Sequence, residues 1–449
     1  NYYGLASDYN KGSATYGTLS HTHRFGGNRE LKTVVRHGRY ERDLWASVIS
    51  KGVGVPANAT TTDYYDDPNL VLQRTGKGRV GETDVTYLGT TYTGAATVGS
   101  LKHNLVLGAE WMQEDAKRNT NAAGGSGRAT TTVGTPNDGA TFADTRGSIR
   151  FNTFDAKTFS LYGQDTIELT STLKVLAGLR YDHFKYDYEN ITVGTPGSYD
   201  RTDKLWTRRF GLIYQPSDWA SYHVSYGTSF NTSGDTYSLS AANENIAPEK
   251  SRNIEVGTKL DLLDNRLFVG ASLFHTTKYR ERNTDPDVPS IVLLSGKRHA
   301  LGLDFDVAGR ITPNWEAFVS YTWIPKAEID ESTTRLAASG TGSQVEGDRP
   351  ALTPKHSASL WTTYRVLPAL RVGGGLNYRS EQSPERQRLV KSDAFTTLDL
   401  MAEYTINQNL AVKFNVKNAT NELYADSLYA SFYVPGAPRT YQVSLKAKF

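Results

Sequence analysis

Few residues in this 449-residue chain are placed for covalent chemistry. Cysteine is absent, which removes disulfides, thiolate zinc sites and a cysteine nucleophile. Neither Gly-x-Ser-x-Gly nor His-Glu-x-x-His occurs, and the nine histidines are scattered. Gly76-Lys77-Gly78-Arg79-Val80-Gly81 fits Gly-x-Gly-x-x-Gly, but a dinucleotide fingerprint needs a helix after it. The residues that follow, Asp84-Val85-Thr86-Tyr87-Leu88-Gly89, continue as strand. His21 and His23 share a strand face and have the spacing to hold a metal together. We read them as wall residues, lining or girdle. Asp63, Asp66 and Asp67 offer hard oxygens that suit calcium, but we read them as a solvated loop. No metal and no cofactor is expected. What remains is recognition chemistry. Arginine and aromatic residues gather in predicted loops: Tyr279, Arg280 and Arg282; Lys297 and Arg298; Arg349; Arg379; Tyr429, Phe432, Tyr433 and Arg439. Guanidinium supplies charge and a planar donor fork, and rings supply stacking faces.

The elements that position these loops are legible from the last stretch. Tyr441, Val443, Leu445, Ala447 and Phe449 alternate with Gln442, Ser444, Lys446 and Lys448. Side chains alternate across a strand, so one face is apolar and the other polar. The length suits a tilted strand crossing a bilayer, which takes about 9–11 residues. The pattern recurs. Val175, Ala177, Leu179 and Tyr181 oppose Lys174, Arg180 and Asp182; Leu301, Leu303, Phe305 and Val307 oppose Asp304, Asp306 and Arg310. Trp315, Ala317, Val319, Tyr321 and Trp323 oppose Glu316, Ser320 and Thr322. Connections alternate short and long, with short ones near 170–172, 263–265, 311–314 and 406–408 and long ones over 117–150 and 328–352. That sorting belongs to an outer-membrane barrel, with short periplasmic turns and long external loops. The expectation is an all-β, transmembrane antiparallel β-barrel over 1–449 with about 17 strands. Tyr181, Phe184, Tyr186, Tyr188, Tyr222, Tyr226, Tyr321 and Trp323 are read as interface aromatics.

No apolar run approaches the roughly 20 residues of a membrane helix. A mean hydropathy of −0.50 fits a wall whose alternate residues face water. A net charge of +3 implies no nucleic-acid partner. Asn1-Tyr2-Tyr3-Gly4 reads as the middle of a longer chain, and no signal peptide opens it.

Three stretches resemble the barrel of TonB-dependent siderophore receptors. They are Ala247-Pro248-Glu249-Lys250-Ser251-Arg252-Asn253-Ile254-Glu255-Val256-Gly257-Thr258-Lys259; Gly347-Asp348-Arg349-Pro350 through Pro354-Lys355-His356; and Asn415-Val416-Lys417-Asn418-Ala419-Thr420-Asn421 with Tyr424, Gly436-Ala437-Pro438-Arg439 and the terminal Phe449. Gly17-Thr18-Leu19-Ser20-His21-Thr22-His23-Arg24-Phe25 is similar to the catecholate branch. The resemblance implies a 22-stranded barrel, so about five strands, an N-terminal plug and a TonB box would precede Asn1. It implies a receptor for a ferric siderophore in the outer membrane of a Gram-negative bacterium, driven by the TonB complex through the plug. It implies no enzymatic step. Outer-membrane lipid and the barrel-assembly machinery are the other expected partners. The ligand residues expected on this reading are Arg349, Arg439, Tyr429, Tyr433, Phe432, Arg280, Arg282 and Arg298. A passive porin and a barrel enzyme are the rival readings; the first does not explain the three stretches, and the second lacks a convergent nucleophile.

Phe449 and Tyr441 are the expected assembly signal. Deleting Phe449 should lower the fraction of heat-modifiable barrel in the outer membrane without changing synthesis. Equal barrel in both proteins would remove that role.

Overall fold

The structure is a computed structural model that describes residues 2–52, 66–119, 127–146, 149–192, 196–232, 239–241, 243–284, 292–336, 342–429 and 433–448. Asp63, Phe432 and Phe449 lie outside the described residues. Twenty strands follow in order: β1 (Tyr9–Gly26), β2 (Arg29–Gly52), β3 (Val71–Val98), β4 (Leu101–Asn119), β5 (Thr131–Thr132), β6 (Phe151–Glu168), β7 (Leu173–Asn190), β8 (Gly197–Ser217), β9 (Ala220–Asn231), β10 (Glu249–Leu262), β11 (Leu267–Thr284), β12 (Val292–Thr312), β13 (Trp315–Glu331), β14 (His356–Leu367), β15 (Leu370–Arg379), β16 (Phe395–Asn407), β17 (Leu410–Lys417), β18 (Ala425–Leu428), β19 (Tyr433–Pro435) and β20 (Thr440–Ala447). No α-helix occurs among the described residues.

Seventeen of these strands form the wall, each antiparallel to the next in chain order. The short β5 extends the outer end of β3, and β18 and β19 form a small hairpin inside one loop. Among the described residues, β1 pairs only with β2 and β20 only with β17, so each presents one edge. Short connections at 27–28, 99–100, 169–172, 218–219, 263–266, 313–314, 368–369 and 408–409 all lie at one end. The long connections lie at the other. The sequence explains the tightest turns. Gly27 and Asn28 take φ of 59° and 58°, and Leu263, Asp264 and Asn265 take 54°, 56° and 60°. Gly, Asn and Asp tolerate the left-handed region that such hairpins require.

Residues directly opposite on neighbouring strands share a face. Val269, Val307, Val319, Leu360, Leu376 and Leu398 form one continuous apolar row across six strands. This face is turned outward: Val256, Leu273 and Trp206 are all more than half exposed. A soluble surface of this extent would aggregate; a bilayer covers it. On the other face, Thr322 Oγ1 donates to Asp304 at 2.6 Å, Ser160 Oγ donates to Asp182 at 2.6 Å, and Arg371 Nη2 donates to Glu403 at 3.0 Å. Aromatic residues bracket the apolar band. Tyr214 stacks on Tyr222 at 6.3 Å near the short turns, and Trp315 Nε1 donates to Thr362 at 2.8 Å. Tyr181 and Trp206, 4.9 Å apart, mark the opposite border. Eight positions separate Trp206 from Tyr214, as they do Trp315 from Trp323. That is about 27 Å along a strand, close to the band of about 25 Å expected of such a barrel after allowing for tilt. His21 and His23 belong to the outer face, opposite Thr33 and Leu31, with the His23 ring 4.5 Å from Phe25.

One expectation is corrected. Phe184, Tyr186 and Tyr188 are not interface aromatics. They sit at even positions, opposite in parity to Tyr181, and face inward. Tyr186 is fully buried against Phe154, Ala156 and Leu239, the last from the long connection between β9 and β10. Leu239 reaches into the mouth, and these rings lie against it. The glycine run 373–375 serves a related purpose. A Cβ at Gly375 would stand 2.5 Å from the inward Trp361 ring, so glycine gives that ring its place.

On the outer face beyond the upper aromatic border, Asp84, Asp115, Asp155, Asp187 and Asp200 lie directly opposite one another across five strands. Arg39 neutralises one end with two hydrogen bonds of 2.8 Å to Asp84. Asp155 has its pKa raised, first by desolvation and then by a hydrogen bond with Asp115 and the charges of Asp115 and Asp187.

Two outcomes follow from the faces. Val319→Arg should cost about 2–4 kcal/mol near the bilayer midplane, whereas Asp304→Asn should stay within about 1 kcal/mol. Urea titration of the membrane-inserted barrel measures both, and similar losses would mean that the faces are exchanged. For Asp155 the folded pKa lies above the unfolded one. Its contribution is therefore full below the ordinary carboxylate range and is lost as pH rises through the raised value. Asp155→Asn should abolish that part of the decline as pH rises above the ordinary carboxylate range. A variant declining in parallel with the wild type would show that the carboxylate row carries no strain.

Candidate ligand-binding mouth

The long-connection end carries the residues that sequence reasoning singled out, and most are held by their own loops. Arg349 lies between β13 and β14. Its Nε donates to the Thr353 carbonyl at 2.8 Å and its Nη2 to the carbonyls of Ile324 at 2.7 Å and Pro354 at 3.4 Å. Desolvation pulls its pKa down. This is a clamp on the base of the loop. The Arg282 amide donates to Glu249 at 2.9 Å, and its Nη2 donates to the Thr232 carbonyl at 2.9 Å. Arg298 pairs with Glu281. Arg280 takes a φ of 54° at an irregularity of β11, and its side chain is exposed. Tyr433 on β19 stands opposite Leu428, half exposed like Tyr429. The Arg439 amide donates to Asn421 Oδ1 at 3.0 Å, and the residue is exposed. Tyr441 is on the lipid-type face, stacked on Phe414 at 6.3 Å. These groups fall in three regions: Arg280, Arg282 and Arg298 on β11 and β12, Arg349 between β13 and β14, and Tyr429, Tyr433 and Arg439 between β17 and β20.

Sequence reasoning missed a different cluster, on the inner face of β2, β3 and β4. Arg42 and Arg118 both lie opposite Gly81, and Arg79 is two positions along the strand from that glycine, opposite Leu44. All three line a cleft of about 460 Å³ with Tyr40, Phe154 and Tyr188. Arg42 Nε donates to Asn10 Oδ1 at 3.2 Å. The exposed Arg79 side chain makes no hydrogen bond or ion pair among the described residues, and its pKa is pulled down by desolvation and then by the charges of Arg118 and Arg42. Asn152 Nδ2 donates to the Tyr188 hydroxyl at 2.7 Å, and burial pushes that phenol up. Glu41 and Lys117 also line the cleft, and two other inward cations near the mouth have acids. Arg201 pairs with Asp203 at 2.7 Å, and Lys278 with Glu249 at 3.0 Å. The signal is in the sequence: Arg79 and Gly81 have the same strand parity, although they lie inside a motif that reads first as a dinucleotide fingerprint. Among the described residues no group of three or more His, Asp or Glu side chains is arranged to hold a metal.

Comparison with known proteins agrees with this architecture. The probable TonB-dependent siderophore receptor PiuA of Acinetobacter baumannii is 27% identical over 89% of this chain and 58% of its own length. The catecholate siderophore receptor Fiu of Escherichia coli K12 is 25% identical over 100% of this chain and 61% of its own. The closed crystal form of Fiu superposes with a TM-score of 0.86 at 23% identity, covering 100% of this chain and 66% of that one. The PiuA crystal structure gives 0.85 at 22% identity, over 99% and 65%. The chain thus spans about three-fifths of the length of these receptors. The TonB dependent receptor-like, beta-barrel family matches residues 1–419, and the chain belongs to that family.

Proposed function

We propose that this chain is the barrel wall of an outer-membrane receptor for a ferric siderophore of the catecholate type, with uptake driven by the TonB complex. The observation that carries the reading is the wall itself. An apolar outer row, a polar inner face and loops sorted to one end run through a chain that matches a catecholate siderophore receptor along its whole length. On this reading the long-connection end faces outward and captures the ferric complex. The remainder of the receptor supplies the plug and the contact with TonB. Lipid covers the apolar face, and the assembly machinery reads the terminal strand. Iron enters as cargo, and the barrel makes and breaks no covalent bond.

The full-length receptor should restore growth of an iron-starved Gram-negative host that lacks its own catecholate receptors. The source of iron would be a ferric tris-catecholate, and growth should require TonB. A tag at the exposed Gly342 should be labelled on intact cells while one at Asp264 is not. No growth together with no binding of the purified receptor to the complex would defeat the proposal.

A further inference from the structure

We propose that Lys157, Lys185, Lys204, Arg208 and Arg252, on the lipid-side face of the wall, hold the phosphates of an outer-leaflet glycolipid at the upper aromatic border. The proposal rests on the outer-membrane reading above and deepens it. Tyr181 and Trp206 mark that border. Lys204 lies two positions outward from Trp206 and Arg208 two positions inward, on the same face of β8. Lys185 lies four positions outward from Tyr181 and directly opposite Lys157 on β6. Arg252 on β10 stands opposite Thr228, whose hydroxyl accepts the Arg208 amide at 3.0 Å. All five residues are exposed, and none of their side chains makes a hydrogen bond or ion pair among the described residues. On the strands to either side, outward cations have acids. Arg39 pairs with Asp84 and Lys117 with Glu82, each at 2.8 Å, and Lys297 pairs with Glu331 at 3.6 Å and Lys326 with Glu328 at 3.7 Å.

The unpaired stretch is where a headgroup would lie. Lys157 and Lys185 oppose one another with like charge, which weakens a sheet unless an anion stands between them. Arg208 is opposite Leu179 and shares its strand face with Trp206 and Phe210, a surface that lipid covers. A guanidinium there is stable when its long stem lets the head reach the interface. Phosphate accepts the guanidinium fork through two parallel hydrogen bonds, and anionic headgroups attract clustered Lys and Arg. Lys204 and Arg208 are about 13 Å apart along the strand. That span suits a headgroup with more than one phosphate. Asp155 and Asp187 lie one step farther out on the same face, so the phosphates are seated below them, level with the rings.

The test uses the full-length receptor, with the double variant Lys204→Gln, Arg208→Gln compared with wild type and with Lys326→Gln, which removes a cation that has its own acid. Heat modifiability checks that each barrel is folded. Native mass spectrometry measures binding of diphosphorylated lipid A, of the same lipid stripped of its phosphates, and of phosphatidylglycerol. Wild type should prefer the phosphorylated glycolipid. Loss of two cations should weaken that binding about ten- to fiftyfold, and Lys326→Gln should match wild type. Wild-type binding that survives removal of the phosphates would overturn the proposal without recourse to any variant. Equal affinity in wild type and the double variant would overturn it as well, and binding of a ferric tris-catecholate would show that the receptor reading still stands. Phosphatidylglycerol bound as tightly as the glycolipid would overturn the choice of lipid. A full-length protein absent from the outer membrane would overturn the receptor reading and this inference together.

Discussion

Backbone hydrogen bonding inside a bilayer is the constraint on which the structure depends. A peptide group facing hydrocarbon has no water to satisfy it, so a spanning segment must bond within itself or to neighbours on both sides. Strand propensity alone does not impose this order. The ladder does, and it fixes each side chain to one of two faces with a period of two. Val319 and Glu316 are three positions apart and meet different media, lipid-type surroundings on one side and Arg371 on the other. A one-residue slip would exchange them along the whole row, so the register is held by every apolar residue from Val269 to Leu398 at once.

The inner face is then free to carry charge, and most of it is balanced locally. Glu316 receives Arg371 and the hydroxyl of Thr363, and Glu403 receives Arg371. Such pairs tie neighbouring strands across the face. Their contribution is modest where water reaches them, about 0–1 kcal/mol each. The Arg79 side chain, exposed on the inner face, makes no ion pair among the described residues.

The barrel was legible because its two signals are long-range and redundant. Alternation repeats in strand after strand, and short turns alternate with long loops, so an error in one segment is corrected by its neighbours. The turn at Leu263–Asn265 was readable from Asp and Asn, whose side chains favour the left-handed backbone found there. The mouth was less legible. Phe184, Tyr186 and Tyr188 were grouped by proximity in sequence with Tyr181, although their parity already placed them on the opposite face. What buries them is Leu239, about fifty positions away, and no local pattern announces that contact. Arg349 and Arg282 advertise ligand chemistry by residue type, but their partners are carbonyls and a carboxylate of the loops themselves. Composition shows that a guanidinium is present, and only the fold shows what already occupies its donors.

The same strands carry opposite charges on their two faces at the outer end. On β3, Asp84 faces out and Arg79 faces in; on β4, Asp115 faces out and Arg118 faces in. Because parity separates them, the carboxylate row does not neutralise the guanidiniums by direct contact, and both clusters persist within one wall. A net charge of +3 hides this arrangement, since it sums 50 basic and 47 acidic residues without regard to face. The field inside the mouth depends on the inward set, of which Arg42 and Arg79 are exposed and open to screening by salt. An anion entering the lumen therefore meets a positive wall that total charge does not report. The alternation that keeps lipid and water on their proper sides also keeps these two charge sets apart.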